Sequence, residues 1–330
     1  MTARLVRTLT LALAVVAAAR PAPGQTLGID GDTFTIDGRP QYLIFVSYFD
    51  GLRRANAKPP AGGVDGDFAY FKQVGVDGIR VLPNWHYLCG AGPADDTQKL
   101  FASTGTINEP MWPIFVGMLD RAAFHGLSVD VTFTRDTFPR PIPLAAYRAA
   151  IVEVAKRLRA AGGHRHVLFD IQNEYPIHGM SDADVHGLLR AVREVDPARI
   201  VTASAGSGDV VHDPAMSVTA YHDGRDSRWS EAATVRAEIE AVRARAGEPR
   251  KPIYYQEPMP FRKFRNNCGH GEWPRPGHAR LAARHAREHG AAAWTFHTRQ
   301  SFDLRERSLL EILKADPEQK AELEAAAAVQ

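Results

Sequence analysis

Two stretches of the chain end a run of apolar residues in a carboxylate. Val167–Tyr175 reads V-L-F-D-I-Q-N-E-Y and delivers Asn173 and Glu174, while Pro252–Pro258 reads P-I-Y-Y-Q-E-P and delivers Glu257. A buried parallel strand has this look where it brings polar groups to the open end of a sheet or barrel. Two such carboxyl groups can flank one bond, one protonated to donate to a leaving oxygen and the other ionised to attack carbon. That pairing suits glycoside hydrolysis. Arg80, in the run D-G-I-R-V-L, stands at the end of a further strand. A guanidinium beside Glu257 keeps that group charged, while Glu174 retains its proton until Glu257 loses its charge.

The elements that must position these residues alternate along the chain. A short hairpin, F-T-I between Asp30-Gly31 and Asp37-Gly38, comes first. Strands are expected at Tyr42–Ser47, Asp77–Leu82, Leu127–Phe133, Val167 onward, Ile200–Ala203, Ser217–His222, Pro252 onward and Ala291–Phe296. Between them Ile151, Val154, Ala155 and Leu158 recur at the spacing of one buried helix face, and Ser181 with Asp184 forms a helix-starting pair. The segment from Asn84 to Pro110 is long for a connection, which points to a functional loop. Eight strands alternating with helices predict an α/β fold, a single-domain (β/α)8 TIM barrel. No Gly-rich turn follows the first strand, which counts against a doubly wound sheet. The tail Pro317–Ala328 is expected as an added surface helix or a frayed end.

The 330 residues are 45% hydrophobic and 24% charged, enough for one large core. A net charge of +2 offers no argument for nucleic acid or an anionic membrane surface. Arg4 and Arg7 precede the apolar run Leu9–Ala19, and small residues and prolines follow to Gly24. This predicts a signal peptide over residues 1–25 and a secreted or periplasmic catalytic domain over 26–330. The run is too short to span a bilayer, so no membrane insertion is expected after cleavage. Two cysteines, Cys89 and Cys268, form one disulfide in an exported protein or stand as separate thiols; the sequence leaves both open.

Polar and aromatic residues at the expected strand ends include Arg80, Trp85, His86, Asn173, Glu174, Tyr221, His222, Glu257 and Trp294. The fourth and seventh strands lie across the barrel from one another, so Glu174 and Glu257 can face each other over a bound molecule. Asn173 is placed for a sugar hydroxyl, Trp294 for the flat face of a ring, and Tyr221 or His222 for orienting a carboxylate. Trp85 and His86 are candidate substrate contacts in the loop after the second strand. With I-R-V-L around Arg80, Q-N-E around Glu174, Y-H at Tyr221-His222, Y-Q-E around Glu257 and A-W-T around Trp294, the chain resembles a retaining glycoside hydrolase of the (β/α)8 superfamily, clan A. It is similar in style to the cellulase and mannanase branch, family 5. The resemblance implies Glu174 as acid/base, Glu257 as nucleophile, no cofactor, and a β-linked oligo- or polysaccharide as substrate. Tyr175 stands where that family has proline, Pro258 follows the second Glu, and Tyr221 and His222 are adjacent rather than two apart.

Other chemistries fit less well. The pair His164 and His166 precedes the fourth strand, the wrong end of a barrel for metal-assisted hydrolysis, and nothing fixes Cys268, His270 and Glu272 as ligands, so no metal is expected. No Gly-x-Ser-x-Gly elbow appears, against a serine esterase. A non-catalytic carbohydrate-binding barrel is the alternative from another class. It has no need of a matched acid and nucleophile.

Overall fold

A computed structural model of the chain describes residues 24–57, 63–85, 96–135, 141–177, 179–205, 213–222, 228–261 and 276–329. Three short antiparallel strands come first, β1 (Leu27–Asp30), β2 (Thr33–Ile36) and β3 (Arg39–Pro40). The β2–β3 hairpin turns on Asp37 and Gly38, whose φ values of 52° and 78° are the pair that a two-residue turn needs.

Eight parallel strands follow: β4 (Leu43–Ser47), β5 (Gly78–Val81), β6 (Ser128–Thr132), β7 (Val167–Asp170), β8 (Ile200–Thr202), β9 (Thr219–His222), β10 (Ile253–Glu257) and β11 (Ala293–Phe296). Their order is β8-β7-β6-β5-β4-β11-β10-β9. The ends of that order meet through a bridge between Ala205 and Tyr221 and a bond from Ser217 N–H to the Val201 carbonyl of 2.7 Å. The sheet is thus nearly closed, and the fold is the expected (β/α)8 barrel. Around it run α1 (Gly51–Asn56), α2 (Asp65–Val74), α3 (Trp112–Phe124), α4 (Leu144–Ala160), α5 (Asp182–Val195), α6 (Ala232–Ala246), α7 (His278–Glu288), α8 (Leu309–Ala315) and α9 (Pro317–Ala327).

Successive strand residues face opposite ways, and the two faces bury different cores. Leu43, Phe45, Leu168, Tyr254 and Ala293 fill the barrel interior with Leu27 and Phe34 of the hairpin. Their neighbours Ile44, Val46, Phe169 and Trp294 point out under the helices. Each buried Leu, Ile, Val or Phe among them contributes about 1.5–3 kcal/mol. The Leu27 N–H donates to the Arg165 carbonyl just ahead of β7 at 3.0 Å, so the hairpin closes the amino end of the barrel. The opposite end is left for polar groups.

Ser181 and Asp184 form a full capping box at the start of α5. The tail is neither frayed nor merely superficial: Leu323 and Ala326 of α9 are wholly buried. Glu322 of α9 accepts the N–H groups of Gly277 and, at 3.0 Å, Ala279, and so caps α7, which has no side-chain cap of its own. Nothing in the apolar spacing signals the short α1, which buries Arg53 against Asp50.

Candidate active site

Four strands, β5, β6, β7 and β10, bring groups to one guanidinium. Arg80 of β5 is wholly buried, and its nitrogens all have partners. Nη1 donates to Glu257 Oε1 at the end of β10, Nη2 to Asn173 Oδ1 at 2.7 Å, and Nε to Thr132 Oγ1 of β6 at 3.0 Å. Behind it stand Asp130 and Asp170, at 3.6 and 3.8 Å. A planar fork of this kind fixes all its partners at once, as a lysine cannot.

Two departures from regular backbone aim the acids. Simple alternation would send Gln256 and Glu257 to opposite faces of β10. The pairing of β10 with β9 shifts register between Tyr255 and Glu257, and both side chains turn to the site. Gln256 donates to Asp130 at 2.7 Å and Asp170 at 3.1 Å, while Glu257 meets Arg80. Glu174 lies just past β7 with a left-handed backbone, φ 44°, at a cost of order 1 kcal/mol. Ser204, after β8, holds it there by accepting the Glu174 N–H at 3.2 Å, while the Ser204 N–H donates to Asp170 at 2.9 Å.

His222, the last residue of β9, sits between the two glutamates. Its Nδ1 is 3.0 Å from Glu174 Oε1 and 3.6 Å from Glu257 Oε2. One atom from each of Glu174, His222 and Glu257 lies within 4.8 Å of the others. The glutamates differ in access: the Glu174 side chain is 25% exposed and that of Glu257 8%.

Electrostatics follow from burial. Desolvation alone would lower the Arg80 pKa, but Glu257, Asp130 and Asp170 outweigh it and hold the group charged. Desolvation pushes the Asp130 carboxyl up to about 6 against the pull of Arg80, with Asp170 adding to the rise. Asp170 is raised as well, by burial first.

Arg80, Asn173, Glu174, His222 and Glu257 are therefore brought together. Tyr221 and Trp294 are not. Trp294 lies one residue from Thr295, which bonds Tyr254 inside the barrel, so strand alternation turns the indole outward among the helices. It is wholly buried, and its N–H finds no partner among the described residues. Tyr221 likewise faces outward, stacked on Tyr255 with centroids 4.5 Å apart. The expected ring platform at Trp294 and the orienting role for Tyr221 do not match these positions. Trp85 is buried with Phe49, Leu82 and Phe302, its N–H donated to the Phe302 carbonyl at 3.1 Å, and so packs the wall beside Arg80. His86, Cys89, Cys268 and the nearby His270 and Glu272 lie outside the described residues.

Asp130, Asp170, Gln256 and Ser204 are the site residues that sequence reasoning passed over. The signal for the two aspartates was an acid within an otherwise apolar strand, V-D-V and L-F-D, which a barrel tolerates only facing its axis. Glu174, His222 and Glu257 form the single set among the described residues spaced for a metal ion. Arg80 already neutralises Glu257 there, so a cation would meet a like charge. His164 and His166 bond Asp120 and the Leu119 carbonyl, both at 3.1 Å, at the amino end of β7.

No protein-family model matches the sequence, and no curated protein matches it. Solved structures do match the fold. A family 5 glycoside hydrolase from Bacteroides vulgatus aligns with a TM-score of 0.60 at 12% identity, over 88% of this chain and 68% of that one. One from Prevotella bryantii aligns with a TM-score of 0.60 at 12% identity, over 88% and 96%. A family 5 mannosidase from Rhizomucor miehei gives 0.57 at 14%, over 83% and 85%. Three of the matching structures are longer, and the chain spans 68%, 66% and 59% of them. The barrel is of the kind found in family 5 glycoside hydrolases.

Proposed function

We propose that the protein is an exported retaining glycoside hydrolase that cleaves a β-linked glycan by double displacement, with Glu174 as acid/base and Glu257 as nucleophile. The observation that carries this reading is the facing pair of carboxylates in unequal surroundings. Glu257 is buried against Arg80, and Glu174 is more exposed and hydrogen-bonded to His222, with ligand atoms of the set within 4.8 Å of one another. Retaining enzymes hold their carboxyl groups about 5–5.5 Å apart, and inverting ones leave about 6.5–9.5 Å for a water. Ligand atoms within 4.8 Å of one another are compatible with the narrower spacing.

In the first step a Glu257 oxygen bonds to the anomeric carbon as the bond to the leaving oxygen breaks. Glu174 gives that oxygen its proton. In the second step Glu174, now a carboxylate, takes a proton from water. The water oxygen bonds to the anomeric carbon and the ester to Glu257 breaks. Arg80 holds Glu257 ionised and, by occupying the Asn173 carbonyl, presents the Asn173 amide N–H groups to a sugar hydroxyl. The β preference rests on the family likeness. Export rests on the leader-like run behind Arg4 and Arg7.

The test is sugar release by the mature protein from plant, microbial and host glycans, mannans among them, with Glu257→Gln run alongside and its fold checked by circular dichroism. Release by the wild type, lost about 10⁴-fold in the folded variant, is the expected result. Tight binding of one glycan without release, unchanged in the variant, would leave a carbohydrate-binding barrel instead.

A further inference from the structure

Gln256 is wholly buried one residue ahead of Glu257, and with Asp130 and Asp170 ionised its neighbours permit its amide a single orientation. The amide nitrogen lies 2.7 Å from Asp130 Oδ2 and 3.1 Å from Asp170 Oδ2. Reversed, its oxygen would face two carboxylate oxygens, which accept and do not donate when ionised. Arg80, at 3.6 and 3.8 Å, and the Ser204 N–H, 2.9 Å from Asp170, favour that ionised form against the desolvation that raises both carboxyls. The amide oxygen is therefore turned the other way, 2.9 Å from His222 Nε2. An amide oxygen only accepts, so His222 Nε2 must carry a hydrogen.

This settles what the other ring nitrogen can do. In a neutral ring with Nε2–H, Nδ1 is an acceptor, and it lies 3.0 Å from Glu174 Oε1. The hydrogen between them comes from a protonated Glu174. If it moves to Nδ1, the ring is an imidazolium beside a carboxylate. Either way the pair holds a proton that can pass to a leaving group. The state that would disarm it is a neutral Nδ1–H ring donating to ionised Glu174. That state leaves Nε2 bare against the Gln256 oxygen, lone pair to lone pair.

We propose that Gln256, anchored by Asp130 and Asp170, is a positioning residue that fixes His222 as its Nε2–H form and so keeps a transferable proton on the Glu174–His222 pair. The proposal rests on the reading of Glu174 as the acid. The charged groups around His222 among the described residues are all part of it. Glu174 beyond β7 and Glu257 of β10 face the ring directly, and Arg80 of β5 acts through Glu257. Asp130 of β6 and Asp170 of β7 act through Gln256, and the segment after β8 contributes the uncharged Ser204.

Two-bond ¹⁵N–¹H correlation spectra of the mature protein labelled at histidine nitrogens read the tautomer, with His222 identified by its loss in His222→Gln. The neutral His222 ring is expected to carry its hydrogen on Nε2 where Asp130 is ionised, above about pH 6. A neutral His222 protonated at Nδ1 overturns the proposal. In Gln256→Met the Nδ1–H form is expected to appear, and the alkaline limb of kcat/KM is expected to fall by about one pH unit or more, with the acid limb in place. An unchanged tautomer and limb in a folded Gln256→Met also overturn it. Should that variant not fold, the wild-type spectrum decides alone. Absence of any sugar release counts against the glycosidase reading, while the spectrum still tests the role of Gln256.

Discussion

Arg80→Met is expected to lose about 3–5 kcal/mol of stability and all measurable turnover, because it strands three carboxylates around the place of one buried cation. Arg80 bonds Glu257 and stands 3.6 and 3.8 Å from Asp130 and Asp170, all of them buried. The loss should also depend on pH. Burial, opposed by Arg80, raises Asp130 from 3.8 to about 6. A folded-state pKa above the unfolded one means that the folded protein keeps a proton which the unfolded chain has released. That contribution to stability is fully present below about 4 and is lost as pH rises through about 6. Without the guanidinium the loss extends to higher pH. Thermal unfolding of Arg80→Met should therefore lie closest to the wild type in acid and furthest from it above pH 7. An equal deficit at every pH would count against the charge cluster. Arg80→Lys should regain stability but little activity, since a point charge cannot reach Glu257, Asn173 and Thr132 together.

Glu174→Ala is expected to lower kcat/KM by about 10²–10⁴-fold for glycosides with poor leaving groups and much less for activated aryl glycosides. An activated leaving group departs without a proton, so the first step survives and the second, which lacks its base, becomes limiting. Azide needs no base and should restore turnover, yielding a glycosyl azide of retained configuration. Glu174 suits this role by position, since its side chain is 25% exposed and reaches the outer side of the site beside His222. The same deficit for all leaving groups, with no effect of azide, would remove Glu174 from the acid/base role.

The barrel was legible because each strand carries its own evidence. Apolar runs such as V-L-F-D and I-R-V-L end on polar residues, and helices between them show one apolar face. The tail helix was underrated because an Ala-rich segment looks superficial until a partner is found; α9 packs on α7, and its Leu323 and Ala326 are buried. At the site, Arg80, Glu174 and Glu257 were visible as polar ends of apolar runs. Trp294 and Tyr221 were misplaced because nearness to a strand end says nothing of which face a side chain takes. The register of neighbours, Thr295 and His222, decides that. Gln256 was hidden for the opposite reason: alternation assigns Gln256 and Glu257 to opposite faces, and only the shifted register in β10 lets both point inward. Asp130 and Asp170 lie deep in their strands, where an acid looks like an exception to burial until Arg80 and Gln256 are seen to satisfy it.

As the proposed nucleophile, Glu257 is expected to form a bond to the sugar. A 2-deoxy-2-fluoro glycoside of a sugar that the protein hydrolyses, carrying a good leaving group, tests this directly. The fluorine slows both steps by opposing positive charge at the anomeric carbon, and the leaving group lets the first proceed, so the ester accumulates. Mass spectrometry of the intact protein should show one fluorosugar added, and peptide mapping should place it on Glu257. An adduct on Glu174, or turnover of the parent substrate with inverted configuration and no adduct, would contradict the account.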